Sequence, residues 1–244
     1  MSTNLSASAL IFFAIATAGC ARKPATIVSL HPTAYGSALV ETSGGKQMGA
    51  TGTMLAQPLV AQVNDDQGAG VAGALVEFHG PFGISFEPSA ALTDASGQAT
   101  TNVTLGGMAA RYQLTATTRS KAQKEVALNV VEVALGYQQE LGYQLGETYC
   151  ARCHNPESSA ERVSNYDNLQ VKPHTFTDGT TLNKMTDAEL TSIIDHGGVA
   201  LNKSALMPPY GYTLDKSQTQ ALVAYIRLVS DPPYQAAGMV YAQK

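Results

Sequence analysis

The spacing of apolar residues changes once along this 244-residue chain, near residue 134, and that change divides what it can fold into. From about residue 25 to 133 the period is two. Leu59, Ala61 and Val63 alternate; so do Ala99, Thr101, Val103 and Leu105, then Tyr112, Leu114 and Ala116, then Val126, Leu128 and Val130. A further short run spans 75–78, and the clusters Asn64-Asp65-Asp66-Gln67-Gly68 and Thr93-Asp94-Ala95-Ser96-Gly97 supply turns. Alternation puts every second side chain on one face. Short strands of this kind, with no helical period, predict a two-sheet antiparallel sandwich of about a hundred residues.

Beyond Ala134 the apolar residues recur every three or four positions, as on a helix. A first helix is predicted over 137–152, with Leu141, Leu145 and Tyr149 along one face. A second opens with the capping box Thr186-x-x-Glu189, carries Leu190, Ile193 and Ile194, and stops at Gly197-Gly198. A third opens with Ser217-x-x-Gln220, carries Leu222, Tyr225, Ile226 and Val229, and ends before Pro232-Pro233. An all-β sandwich followed by an all-α domain is the fold class expected.

The predicted first helix ends in Cys150-Ala151-Arg152-Cys153-His154, and C-x-x-C-H is the attachment sequence of a c-type haem. Two thiols add across the porphyrin vinyl groups and the adjacent imidazole binds the iron. A thioredoxin-like redox pair would need a βαβ setting, which the surrounding pattern lacks. A zinc site would need a second Cys or His pair at ligand spacing, and the other histidines are scattered singly, His79 among them. The sixth iron ligand decides between electron carrier and reactive haem, and its candidates are Met185, Met207, Met239, His174 and His196. Met207 is favoured because Leu206-Met207-Pro208-Pro209-Tyr210 cannot be helical and is stiffened by its prolines.

Of three cysteines, two are taken by this motif and the third, Cys20, follows the apolar run 9–18. That run is too short to span a bilayer and has the length of a signal-peptide core, so the chain is expected to be exported. Thr17-Ala18-Gly19-Cys20 resembles a lipoprotein cleavage box, although Thr17 stands where Leu is usual, and Ala16-Thr17-Ala18 also fits ordinary signal cleavage. Lipidation of Cys20 would consume an otherwise unpaired exported thiol and anchor the chain to a membrane. Charge is sparse. Residues 21–133 carry seven basic and eight acidic side chains, and 134–244 carry eight and eleven, giving −1 and −3. No basic run suggests nucleic acid, and the weak acidity of the second half suits a transient partner with a basic rim.

Two resemblances extend these readings. Leu55-Ala56-Gln57-Pro58-Leu59-Val60, Gly70-Val71-Ala72-Gly73, Val76-Glu77-Phe78 and Thr93-Asp94-x-x-Gly97-x-Ala99 resemble the bacterial Ig-like domains of invasin and adhesin type, which serve as spacers or adhesive units. Residues 138–232 resemble a class I monohaem c-type cytochrome through the motif at 150–154, the stretch 182–198, Met-Pro-Pro-Tyr at 207–210 and the closing 221–227. That resemblance implies thioether anchors at Cys150 and Cys153, His154 as proximal ligand and Met207 as distal ligand. It also implies a close crossing of the first and last helices at Gly142 and Tyr225. Gly146 departs from the family, which commonly has an aromatic there; Pro173 is a candidate for the carbonyl that fixes the proximal imidazole.

The organisation expected is therefore a signal peptide at 1–19, an anchor and linker at 20–26, an Ig-like sandwich at 27–133, a linker at 134–137, a cytochrome c domain at 138–232 and a tail at 233–244. With both axial positions filled the protein would be an electron carrier, not an enzyme, carrying one covalent haem c in the periplasm or at the cell surface. It would exchange electrons transiently with redox protein donors and acceptors. A catalytic or gas-sensing haem with a displaceable distal ligand, and a surface adhesin or assembly protein whose sheet edges self-associate, are the alternatives.

Overall fold

The computed structural model describes residues 30–160 and 162–236. The expected leader at 1–19, Cys20 and Met239 lie outside the described residues.

Among the described residues nine strands form two packed sheets. They are β1 (Ala38–Ser43), β2 (Met48–Ala50), β3 (Leu59–Asn64), β4 (Leu75–His79), β5 (Ser85–Glu87), β6 (Ala90–Leu92), β7 (Gln98–Thr104), β8 (Ala110–Arg119) and β9 (Glu125–Leu135). One sheet has the order β1-β3-β7-β5 and the other β2-β9-β8-β4-β6. Every pairing is antiparallel except β2 with β9, where Met48, Gly49 and Ala50 lie in parallel register with Val133, Ala134 and Leu135. The alternation read from sequence is the inward face: Leu59, Ala61 and Val63 of β3, Ala99 and Val103 of β7, and Leu114 and Ala116 of β8 are all buried in one core. Both turn clusters close by the same device. Asp65 Oδ1 accepts from the Gln67 and Ala69 amides, and Asp94 Oδ1 accepts from those of Ser96 and Gln98.

Glu132 of β9 points into this sandwich and is fully buried. Its Oε2 accepts from the Gln47 amide at 2.6 Å, while Oε1 has no hydrogen-bond partner. Burial pushes its pKa up to about 7, against the lowering effect of the Gln47 amide.

Strand β9 runs without a spacer into the helices. Gly136 caps α1 (Tyr137–Leu145), so the stretch 134–137 consists of a strand end, a cap and a helix start. After a π-turn at Gly146–Cys150 come α2 (Ala151–His154), α3 (Gly179–Leu182), α4 (Asp187–His196) and α5 (Lys216–Val229). The α4 capping box is Thr186/Glu189 as expected, with Thr186 Oγ1 accepting from the Glu189 amide and Glu189 Oε2 from the Thr186 amide. Helix α5 starts earlier than expected, on Asp215/Gln218 in place of Ser217/Gln220. A charged Asp acceptor at the positive end of the helix dipole outcompetes a serine two residues inside.

Helices α1 and α5 cross at Gly142, where a Cβ would run into the Ala221 carbonyl oxygen and lie 2.7 Å from Tyr225 Cβ. The expected pairing of Gly142 with Tyr225 is thus the observed crossing. At Gly146, where an aromatic side chain is missing, the neighbouring space holds Phe176 Cε2, 3.3 Å from where a Cβ would be. Phe176 and Tyr225 meet edge to face, their centroids 6.2 Å apart. Arg227 of α5 is buried and fastens the loop before α4, donating to the Leu182 and Met185 carbonyls and to Asp187. Its guanidinium lies 4.0 Å from the ring centroid of Tyr234 in the tail. Among the described residues no helix is long and apolar enough to cross a membrane.

Candidate haem site

Helix α1, the π-turn and α2 deliver Cys150, Cys153 and His154 to the wall of one cavity of about 980 Å³, at the upper end of the usual size for ligand sites. A π-turn widens the helix locally, and such insertions favour functional positions. Cys150 is packed against the helical core, and burial first, then the neighbouring Cys153, pushes its thiol up to about 12. An attacking cysteine in disulfide exchange needs the opposite, a thiol lowered toward neutrality, so Cys150 is unsuited to that part.

His154 is half-buried, with its ring 5.2 Å centroid to centroid from Phe176. Its Nδ1 lies 2.7 Å from the His174 carbonyl oxygen, which can only accept, so Nδ1 carries the proton and Nε2 the free lone pair. Burial lowers its pKa; the His174 carbonyl raises it, and the His174 side chain lowers it again. The imidazole is thus neutral and oriented, the state a metal ligand requires. The orienting carbonyl is that of His174, not the neighbouring Pro173 considered from sequence, although both residues line the cavity.

Met207 lines the same cavity. Its segment is fixed from three sides: Gly198 donates to the Met207 carbonyl at 3.0 Å, Tyr210 donates its amide to the Ile194 carbonyl at 2.9 Å, and Tyr210 Oη donates to the Tyr149 carbonyl at 2.9 Å. The last bond ties the Met207 loop to the residue before Cys150. Gly197 has φ +80°, and a Cβ there would lie 2.8 Å from the Met207 carbonyl oxygen and 3.0 Å from Pro209 N. The Gly-Gly stop of α4 is therefore also the surface against which the methionine loop packs.

Met185 lines the cavity as well, but is packed against the helical core. His174 reaches the lining with Nδ1 committed to Asp178 at 2.8 Å. His196, with Nδ1 3.2 Å from the Ser192 carbonyl, is not part of that lining. Leu182, Leu190, Ile193, Ile194, Leu222 and Ile226 make up much of the wall. Lys172, Lys184 and Lys203 stand around the cavity beside Glu189, so the local charge is opposite to the net −3 of this half of the chain. Sequence reasoning missed Phe176, the His174 carbonyl and the bond by which Tyr210, named in the Met-Pro-Pro-Tyr stretch, fastens to Tyr149.

Residues 138–226 match the family model described as cytochrome C oxidase, cbb3-type, subunit III. This region is a cytochrome c domain. Cytochrome c domains bind haem, and the donor set here suits one: two thiols, an oriented neutral imidazole and thioethers around an apolar cavity.

The N-terminal region is a two-sheet β-sandwich. Solved structures similar to the chain include the D0-D1 domain of intimin, 22% identical, covering 41% of this chain and 48% of that one with a TM-score of 0.33. The D00-D0 domain of intimin is 19% identical over 45% of this chain and 51% of its own, also at 0.33. The Yersinia pseudotuberculosis adhesin InvE is 14% identical over 40% and 32%, at 0.29. The chain thus spans about half the length of the two intimin structures. No curated protein matches it.

Proposed function

We propose that the protein is an exported single-haem electron carrier. In this reading Cys150 and Cys153 would form the thioether anchors, and His154, through Nε2, and Met207 would bind the iron. Haem bound in this way supplies reversible one-electron exchange between ferrous and ferric iron. The observation that carries the reading is the convergence of these four side chains on one apolar cavity, with the His154 Nδ1 proton already held by a backbone carbonyl.

Each residue has a physical task. The aliphatic wall keeps water out and disfavours the additional positive charge of the ferric state. A neutral Met207 thioether favours the ferrous state relative to a second imidazole, and the fastened 204–210 segment keeps that sulfur from leaving. The Ig-like sandwich would serve as spacer or docking module, and Cys20 as the lipid anchor holding the protein in the periplasm or at the cell surface. The partners would be redox proteins meeting the molecule transiently.

The test is the absorption spectrum of the full chain matured by a cytochrome c assembly system. Covalent low-spin haem with the weak long-wavelength sulfur-to-iron band is expected, lost in Met207→Ala and kept in Met185→Leu. Loss in Met185→Leu alone would move the ligand to Met185. High-spin covalent haem would instead favour a reactive or gas-sensing role, and absence of covalent haem would return the function to the sandwich.

A further inference from the structure

The sandwich meets the helical domain at the loop that orients His154, and we propose that Arg111 of β8 is a positioning residue for that imidazole. The proposal rests on the reading of His154 as iron ligand. Arg111 donates through Nη1 to the Ser230 carbonyl and through Nη2 to Asp231 Oδ2 at 3.2 Å. Asp231 is in turn zipped to the 177–179 segment: its amide donates to the Thr177 carbonyl at 2.8 Å, and its carbonyl accepts from Gly179 at 3.0 Å. The approach is close enough that a Cβ on Gly179 would lie 2.8 Å from Asp231 C. Asp178, between them, donates its amide to the Thr175 carbonyl at 3.0 Å and holds the His174 ring at 2.8 Å. His174 supplies the carbonyl on His154 Nδ1, and Phe176 of the same loop packs on the imidazole face.

A second tether from the sandwich reaches the same place. Tyr225 Oη contacts Met48 Sδ of β2 at 3.8 Å, and the Tyr225 ring packs on Phe176. Arg111 is mostly shielded from solvent and its guanidinium fork matches a carbonyl and a carboxylate together, a geometry lysine cannot reproduce. Each link on the path from Arg111 through Asp231 and the 177–179 segment to Asp178 and His174 is a backbone or charge-assisted hydrogen bond, so slack introduced at Arg111 reaches the His174 carbonyl. A shorter bond to Nδ1–H makes the imidazole a stronger donor and favours ferric iron; a looser one does the reverse.

The experiment uses the haem-loaded full chain with Arg111→Ala, Arg111→Lys, Asp231→Asn and, as control, Arg119→Ala, which removes the far-end β8 arginine bonded to the Gln123 carbonyl. Two quantities are read: hydrogen exchange of the His154 ring N–H by NMR in the ferrous state, and the reduction potential. In Arg111→Ala, exchange about tenfold faster or more and a higher potential are expected, with smaller changes of the same sign in Arg111→Lys and Asp231→Asn and none in Arg119→Ala. Native exchange and native potential in Arg111→Ala, or equal changes in Arg119→Ala, would overturn the proposal. If the unmutated chain takes up no haem, the functional reading has failed. Amide exchange at Gly179 in the haem-free full chain then decides the clamp: faster exchange in Arg111→Ala supports it, and unchanged exchange overturns it.

Discussion

The crossing of α1 and α5 gives the sharpest test of how the helical domain is held, because two glycines four residues apart should respond very unequally to the same added methyl group. At Gly142 a Cβ would overlap the Ala221 carbonyl oxygen and sit 2.7 Å from Tyr225 Cβ. Ordinary contact is about 3.5 Å or more, so the helices must separate by the order of 1 Å. Forced separation of a packed contact costs about 1–3 kcal/mol, and the domain also loses part of the apolar seam the crossing closes. Alanine returns up to about 1 kcal/mol through helix propensity, leaving Gly142→Ala destabilised by about 1–3 kcal/mol. At Gly146 the nearest atoms to a new Cβ are Phe176 Cε2 at 3.3 Å, Leu222 Cδ1 at 3.5 Å and Tyr225 Cε1 at 3.7 Å, all side-chain atoms, and the first alone is closer than ordinary contact, by a few tenths of an ångström. Gly146→Ala should therefore stay within about 0.5 kcal/mol of the native protein. Guanidinium unfolding of the haem-loaded chain, followed in the Soret band and by near-ultraviolet circular dichroism, measures both. The reasoning is refuted if Gly142→Ala is as stable as the native chain, or if Gly146→Ala is the more damaging of the pair.

Three further outcomes are expected. Because burial raises the Glu132 pKa from 4.5 to about 7, the unfolded chain binds fewer protons than the folded one between those values, and stability falls as pH rises from about 4.5 to about 7. The full difference is at most about 3 kcal/mol, and Glu132→Gln should flatten the slope in denaturant titrations at pH 5 and pH 8; an unchanged slope would exonerate Glu132. Arg227→Met strands the Met185 carbonyl, leaves the Leu182 carbonyl with the Met185 amide as its one remaining donor, and should cost about 1–3 kcal/mol, most of it from those acceptors, since Asp187 itself is exposed; a loss under about 0.5 kcal/mol would contradict this. Gly197→Ala places a Cβ against the Met207 carbonyl at φ +80° and should cost at least about 2 kcal/mol while weakening the sulfur-to-iron band; a native spectrum at native stability would refute it.

What could be read from sequence was what a local period or a contiguous motif carries. Strands β3, β4, β7, β8 and β9 announce themselves by alternation, and Thr186/Glu189 by capping-box spacing. Strand β1 does not, because it lies at a sheet edge with Leu39 as its one buried residue, and β2, β5 and β6 are three residues each, too short to show a period. The Cys150 and His154 group is legible because its members are adjacent, and Met207 because two prolines follow it. A backbone acceptor such as the His174 carbonyl has no sequence signature at all. Nor does Arg111, whose partners lie 119 and 120 residues away and exist only once both domains are folded.

The joint between the domains shows why an alternating pattern can mislead about where one domain ends. Along β9, Val130, Glu132 and Ala134 face the sandwich interior, while Val133 and Leu135 pack into the helical core. A single strand therefore serves two cores through its two faces, and its last residues are as much part of the helical domain as of the sandwich. A cut after residue 133 would remove two of the three rungs that join β2 to β9, those of Gly49 with Ala134 and Ala50 with Leu135, and would uncover Val133. It would also release Arg111 from Ser230 and Asp231. The sandwich is consequently poorly described as a bead on a flexible tether: with Gly136 alone between strand and helix, any force or partner acting on β8 or β9 bears directly on the segment that orients His154.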